Sequence, residues 1–185
     1  MTGNAPGGGR ILGRLRSADG KGIVRMEDRY DTDIGDLWSA LTEPGRLARW
    51  YGEVEGDLRL GGEFHAHVTG AGERTGRVDA CEPPRRLLLT KALGQPDEDV
   101  IEATLTADGG QTILVIEVRG IPLDKVAFYG AGWQMHAEAL AAYGAGVQIH
   151  VENLAAHLAG RERGDDEARW DELLPAYRDL AANIA

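Results

Sequence analysis

The 185-residue chain contains a single cysteine, Cys81, which excludes an internal disulfide and suits a reducing compartment. No helix start or adjacent base marks Cys81 as an activated thiol, so it reads as a small strand residue. No apolar run reaches membrane-spanning length. The polar, glycine-rich start, MTGNAPGGGR, lacks the apolar core of a secretory signal. These absences predict a soluble cytoplasmic protein with residues 1–9 as a flexible tail. Basic stripes are missing too: the net charge is -10 and the pI about 4.9, so neither nucleic acid nor a membrane is an expected partner. There is no nucleophile–histidine–carboxylate series, no C-x-x-C and no phosphate loop. Gly7, Gly8 and Gly9 have no strand before them and no Gly-Lys-Ser/Thr after them. No cofactor and no catalytic residue is assigned.

What is present is patterned for folding. Hydrophobic residues make up 43% of the chain, enough for an ordinary single core. Strand-like runs at 10–17 and 23–31 flank an Asp-Gly turn, a hairpin signature. Thr32 and Asp33 are candidate caps for a short helix whose face carries Ile34, Leu37, Trp38 and Leu41. Pro44 suits the first turn of a second helix, with Leu47, Trp50 and Tyr51 on one face and Gly52 at its close. From 53 to 119 the period is two, in six runs at 53–58, 63–69, 75–81, 86–93, 99–107 and 111–119, separated by turn residues. A long helix follows, from about 123–129 to 158, interrupted by Gly144 and Gly146, where a kink is expected. Beyond it lie a charged connector and a short helix with Trp170, Leu173 and Leu174 on one face, limited or kinked by Pro175. The fold class is therefore α+β: a curved antiparallel sheet, one long helix able to lie across it, and two short helices after the first core strand.

The long helix repeats Q-x-H-x-E-x-L-A-A at 134–142 and 148–156, which sets His136, Tyr143, His150 and His157 seven residues apart. Seven residues span about 10 Å of helix, so the row does not bind one metal, whose ligands lie about 2 Å from it. Beside it runs an apolar stripe of Trp133, Ala137, Leu140, Gly144, Val147, Val151, Leu154 and Leu158, which must face the sheet. The histidines border that seam: they read first as half-exposed caps on it, and in the alternative the two nearest the cavity, His136 and His150, hydrogen-bond a ligand's polar end. His65 and His67 share one strand face opposite Phe64, Ala66 and Val68, but no third ligand is evident, so no metal site is assigned. Asp28 shares a face with Val24 and Met26, and Lys91 with Leu87 and Leu89. Both either reach water at strand ends or supply polar contacts inside an apolar cavity. The acidic groups Glu53/Glu55 and Asp97/Glu98/Asp99 read as solvated charges.

The stretch LWSALTEPGRLARWYG at 37–52 resembles a signature of bacterial homologues of the heat-shock protein 90 ATPase activator, within the START-like, birch-pollen-allergen-like (SRPBCC) superfamily. DLRLGGEF (57–64), GRVDACEPPRRLLLT (76–90), TLTADGGQTILVIEVRG (104–120), HVENLAAHLAG (150–160) and WDELLPAY (170–177) continue the resemblance in order. It implies a helix-grip domain over 10–160, with 161–185 as a charged connector and short helix. A seven-stranded sheet would curl round the long helix and enclose a cavity for a hydrophobic small molecule, such as a lipid. Trp50, Tyr51, Tyr129 and Trp133 would lie at its mouth, beside Asp28, Lys91 and His136. The resemblance implies no shared catalytic residue, and fold alone does not name the chemistry. A stress-related chaperone accessory is one alternative; with only Asn4, Asn153 and Asn183 present, the activator's Asn-rich N-terminal motif is missing and chaperone contact is not expected. A cyclase or hydrolase using Asp28, Lys91 and His136 is the other. A homodimer is left open.

Overall fold

The computed structural model describes residues 13–141 and 166–184. In chain order these form β1 (Gly13–Ala18), β2 (Lys21–Tyr30), α1 (Ile34–Thr42), α2 (Pro44–Leu47), β3 (Gly52–Gly56), β4 (Glu63–Val68), β5 (Gly72–Glu82), β6 (Arg86–Lys91), β7 (Asp99–Asp108), β8 (Gln111–Ile121), a 3-10 turn (Leu123–Lys125), α3 (Val126–Ala139) and α4 (Asp166–Ala181). All eight strands join one antiparallel sheet in the order β1-β2-β8-β7-β6-β5-β4-β3. The chain leaves β2 through α1 and α2, restarts at the far edge with β3, and meanders back to lay β8 against β2. The sheet is curved and stays open, with one strand more than the seven the resemblance implies.

Local chemistry explains the elements. Asp19 and Gly20 turn β1 into β2 with φ of 51° and 74°, the left-handed pair a tight hairpin needs. The Asp33 carboxylate caps α1 by accepting from the amides of Gly35 at 2.9 Å and Asp36 at 3.0 Å. Asp33→Ala is expected to lower stability by about 1 kcal/mol, read as a lower urea midpoint with unchanged slope. Alternation sorts the inward from the outward residues most clearly along β4, where Phe64, Ala66 and Val68 are buried while His65 and His67 are exposed. The same inward set on β2, β5, β7 and β8 includes Val24, Met26, Val78, Ile101, Leu105, Leu114, Ile116 and Val118, which form one core.

α3 lies against this core, with Trp133, Ala137 and Leu140 buried as the stripe requires. The stripe's remainder, with Tyr143, His150 and His157, lies outside the described residues. Ala127, Gly130, Ala131 and Gln134 are buried as well, because α4 covers part of α3 that would otherwise meet water. α4 is longer than expected. It runs for 16 residues straight through Pro175, which neither ends it nor confines it to the tail. Its Leu173 and Tyr177 are fully buried, and Arg169 holds the Glu138 carboxylate of α3 with two hydrogen bonds of 3.0 and 2.6 Å. Among the described residues no helix is long and apolar enough to cross a membrane.

Candidate ligand-binding site

The sheet's concave face carries a polar row at one end. Lys91, the last residue of β6, sits directly across from Gly76 of β5 and Asp99 of β7, and Arg74 lies two residues along β5. Lys91 is 6% exposed and Asp99 3%, with Lys91 Nζ 3.3 Å from Asp99 Oδ1. That distance is an ion pair but a loose hydrogen bond, and Oδ1 has no well-aligned donor among the described residues. Burial pushes both groups toward their uncharged forms. The Lys91 ammonium is held below its ordinary range by desolvation, with Asp99 pulling the other way. The Asp99 carboxyl is raised by desolvation, against the attraction of Lys91. From α3, Tyr129 faces the pair: its ring centroid is 6.0 Å from Lys91 Nζ, and burial, reinforced by Asp99, pushes its phenol up to about 12.

Aromatic rings line the rest. Tyr51 stacks on Trp133 at 6.1 Å between centroids and 27° between planes, and packs on Trp50 at 5.5 Å. The His136 imidazole meets Tyr51, Trp133 and Trp50 at 5.2, 5.7 and 6.4 Å. Burial, then the Asp99 carboxylate, raises the Tyr51 phenol well above its ordinary value, so it stays a neutral donor. Between α3 and the β4–β5 end of the sheet, Tyr51, Arg74, Lys91, Tyr129, Trp133 and His136 line a half-open cavity of about 70 Å³. A larger hollow of about 420 Å³ adjoins it, walled by Trp50, Gly70, Met135, Ala139 and Trp170, and shares Ala71, Phe128, Gly132 and His136 with the first. Gly132 keeps this space open, because it shares the helix face of Phe128 and His136 without filling it. Phe128 is 52% exposed and stands edge-on to Trp170 at 4.8 Å, an aromatic rim at the mouth. A third cavity of about 70 Å³, lined by Leu41, Leu47, Val54, Phe64 and Leu87, lies beyond Tyr51.

The structure thus brings together Tyr51, Lys91, Tyr129, Trp133 and His136 on one cavity, with Trp50 on the next. Asp28 stands apart. It is half-buried near the end of β2, lines neither cavity, and acts on Tyr30, whose phenol burial and Asp28 both raise. Lys91 does not reach water, and Asp99 is no solvated turn charge: both are corrected by their burial on the inward parity of their strands. Arg74 and Asp99 were not legible as site residues from composition. Parity was the missed signal for Asp99, which alternates in phase with Ile101, Ala103 and Leu105. On the outer face, both His65 and His67 contact the Glu73 carboxylate, at 2.8 and 2.6 Å, and this contact raises the His67 imidazole. No group of three His, Cys, Asp or Glu side chains among the described residues is arranged to hold a metal.

An open antiparallel sheet gripping a helix, with a cavity between the two, is the helix-grip architecture of START-like proteins. Residues 31–145 match the family model described as Activator of Hsp90 ATPase homolog 1-like protein, and the chain belongs to that family. It is similar in structure to CalU16 from Micromonospora echinospora, with a TM-score of 0.68 and 26% identity over 92% of this chain and 96% of that one. It is also similar to DynU16, a putative protein in the dynemicin biosynthetic locus. There the TM-score is 0.61 and the identity 29%, over 65% of this chain and 46% of that one. The fold is shared as well with protein MLL2253 from Mesorhizobium loti, at TM-score 0.60 and 24% identity over 70% and 97% of the two chains. No curated protein matches the chain in sequence.

Proposed function

We propose that the protein binds a small apolar or amphipathic molecule between its sheet and α3, without assigned catalysis. The observation that carries this reading is a joined pair of aromatic-walled cavities ending on convergent polar groups, the usual make-up of a small-molecule site. Burial supplies the affinity: about 200 Å² of ligand apolar surface removed from water is worth about 5 kcal/mol at about 25 cal/mol per Å², before the costs of association. His136, Tyr51 and Arg74 supply orientation. The similarity to DynU16, described by its place in a biosynthetic locus, supports a role beside the making of a small molecule.

The test uses native mass spectrometry of the protein after exposure to a mixed metabolite extract, with Gly132→Trp as control. A β-carbon at Gly132 meets only Trp170, at 3.9 Å, so a larger side chain enters the hollow rather than the backbone. The wild type is expected to retain a species at one per chain, and Gly132→Trp to lose it. No bound species, or equal retention by both, overturns the reading. With 2-naphthalenemethanol as probe, His136→Ala is expected to weaken binding roughly 5- to 10-fold in calorimetry, the worth of one net hydrogen bond. A chaperone-accessory role is decided by pull-down with the heat-shock ATPase; a stoichiometric complex there would replace the ligand reading.

A further inference from the structure

We propose that Lys91 captures the carbonyl carbon of a small apolar aldehyde or ketone as a reversible imine. This rests on the ligand-binding reading above and gives it a substrate class.

The first support is which cation stands at the site. The chain has 17 arginines and only three lysines, Lys21, Lys91 and Lys125. Lys21 and Lys125 are exposed, and Lys91 alone is buried, on a cavity wall. An arginine would pair with Asp99 at least as well, through its rigid fork, but it does not give up its proton. A lysine can, and a free amine is what attacks a carbonyl. The second support is the neighbour. Asp99 Oδ1, 3.3 Å from Nζ and without an aligned donor, is a buried acceptor placed to take the amine's proton. Desolvation favours that transfer, since it disfavours the ammonium and the carboxylate alike. The third support is the surroundings. Tyr51 and Trp133, stacked on each other, give the cavity an aromatic wall, Arg74 lines it as a donor for a carbonyl oxygen, and the Tyr129 phenol hydrogen-bonds the Asp99 carboxylate.

The chemistry balances within this set. Lys91 passes a proton to Asp99, leaving amine and carboxylic acid. The amine lone pair forms the C–N bond as the carbonyl π pair moves to oxygen, and a proton shifts from nitrogen to that oxygen to give a carbinolamine. Asp99 then returns its proton to the hydroxyl, the C–O bond breaks, water leaves, and the nitrogen lone pair closes the C=N bond. The ammonium–carboxylate pair has become an iminium–carboxylate pair with one water released, and no oxidant, reductant or second reactant is consumed. The aromatic wall shields the product from water, which slows the reverse step.

The test is borohydride reduction of the full-length protein incubated with 2-naphthaldehyde at neutral pH, with adducts located by peptide mass spectrometry. Each unit by which burial lowers an amine's pKa raises its free fraction about tenfold. Lys91, whose ammonium burial disfavours, is therefore expected to be labelled several-fold faster than Lys21 and Lys125. 2-Naphthalenemethanol, which has the ring but no carbonyl, is expected to slow labelling of Lys91 alone. Lys91→Arg keeps a cation beside Asp99 but has no amine to form an imine, so no adduct is expected at position 91 while Lys21 and Lys125 are labelled at the wild-type rate. Labelling of Lys91 no faster than that of the two exposed lysines overturns the proposal. If the alcohol still binds in that case, the ligand-binding reading stands and only the imine falls; if it does not bind, both fall.

Discussion

Replacing Tyr177 with alanine is expected to lower the unfolding free energy by about 4 kcal/mol, a large share of the 5–15 kcal/mol typical of a domain. The ring is fully buried at the junction of α4, α3 and β1. Its fit is tight. A β-carbon at Gly130 of α3 would fall 2.3 Å from Tyr177 Cδ1, so that glycine is the socket into which the ring is pressed. The hydroxyl accepts from the Gly13 amide at 3.0 Å and donates to Gln134 Oε1 at 2.6 Å. Burial pushes the phenol up to about 12, so it remains a donor across the working pH range. Tyr177→Phe isolates the hydroxyl and is expected to cost about 2 kcal/mol, because two buried hydrogen bonds, from the Gly13 amide and to Gln134 Oε1, are lost. Gly130→Ala is expected to approach the cost of Tyr177→Ala by driving the ring out of its socket. Urea denaturation followed by far-ultraviolet circular dichroism measures all three. A loss below about 1 kcal/mol for Tyr177→Ala would mean that α4 does not help hold α3 against the sheet.

That junction also shows where sequence reasoning stops. Strands such as β4, β7 and β8 were legible because each buries one face, and strict alternation survives in residues such as Phe64, Ala66 and Val68. The α1 cap was legible because Asp33 precedes an apolar period of three and four. The dock of α4 was not. Pro175 and the neighbouring charges made the tail look peripheral, although Trp170, Leu173 and Tyr177 already mark one helical face at intervals of three and four. A proline in mid-helix loses one hydrogen bond, and the burial of Tyr177 and Leu173 outweighs it. The cavity followed the same logic. Trp50, Tyr51, Tyr129 and Trp133 were found through the resemblance and His136 through the helix period, but Arg74 and Asp99 were not found at all. Arg74 was missed because β5 starts at Gly72, three residues before the run that alternation marked. Asp99 was missed because three acids in a row resemble a solvated turn. A polar side chain at a strand end gives no compositional sign of facing inward; only its phase with the apolar residues after it does.

Removing the Asp99 carboxylate is the substitution on which stability and function separate. Asp99→Ala strands the Lys91 ammonium in an apolar wall, which is expected to cost about 3–5 kcal/mol at neutral pH. Its pH dependence identifies the cause. Desolvation already holds the folded-state pKa of Lys91 below its ordinary value, and loss of the facing charge lowers it further. The unfolded chain titrates near the reference value of about 10.4 and therefore binds more protons than the folded one between the two values. Stability of the variant must then rise with pH across that window, by up to about 1.4 kcal/mol per pH unit, and the deficit must close as pH approaches about 10. In the wild type the raised carboxyl of Asp99 acts with the opposite sign: its contribution is full below the unfolded value and is lost as pH rises through the folded one. A deficit that is small, or flat with pH, would show that Lys91 finds water or another partner and is not truly enclosed. The double variant Lys91→Met/Asp99→Leu removes both charges and fills the space with apolar atoms, so it is expected to match or exceed wild-type stability. If that variant folds as well as the parent yet no longer captures 2-naphthaldehyde, the buried pair contributes nothing net to the fold. Its retention in an apolar wall then has its physical reason in the ligand.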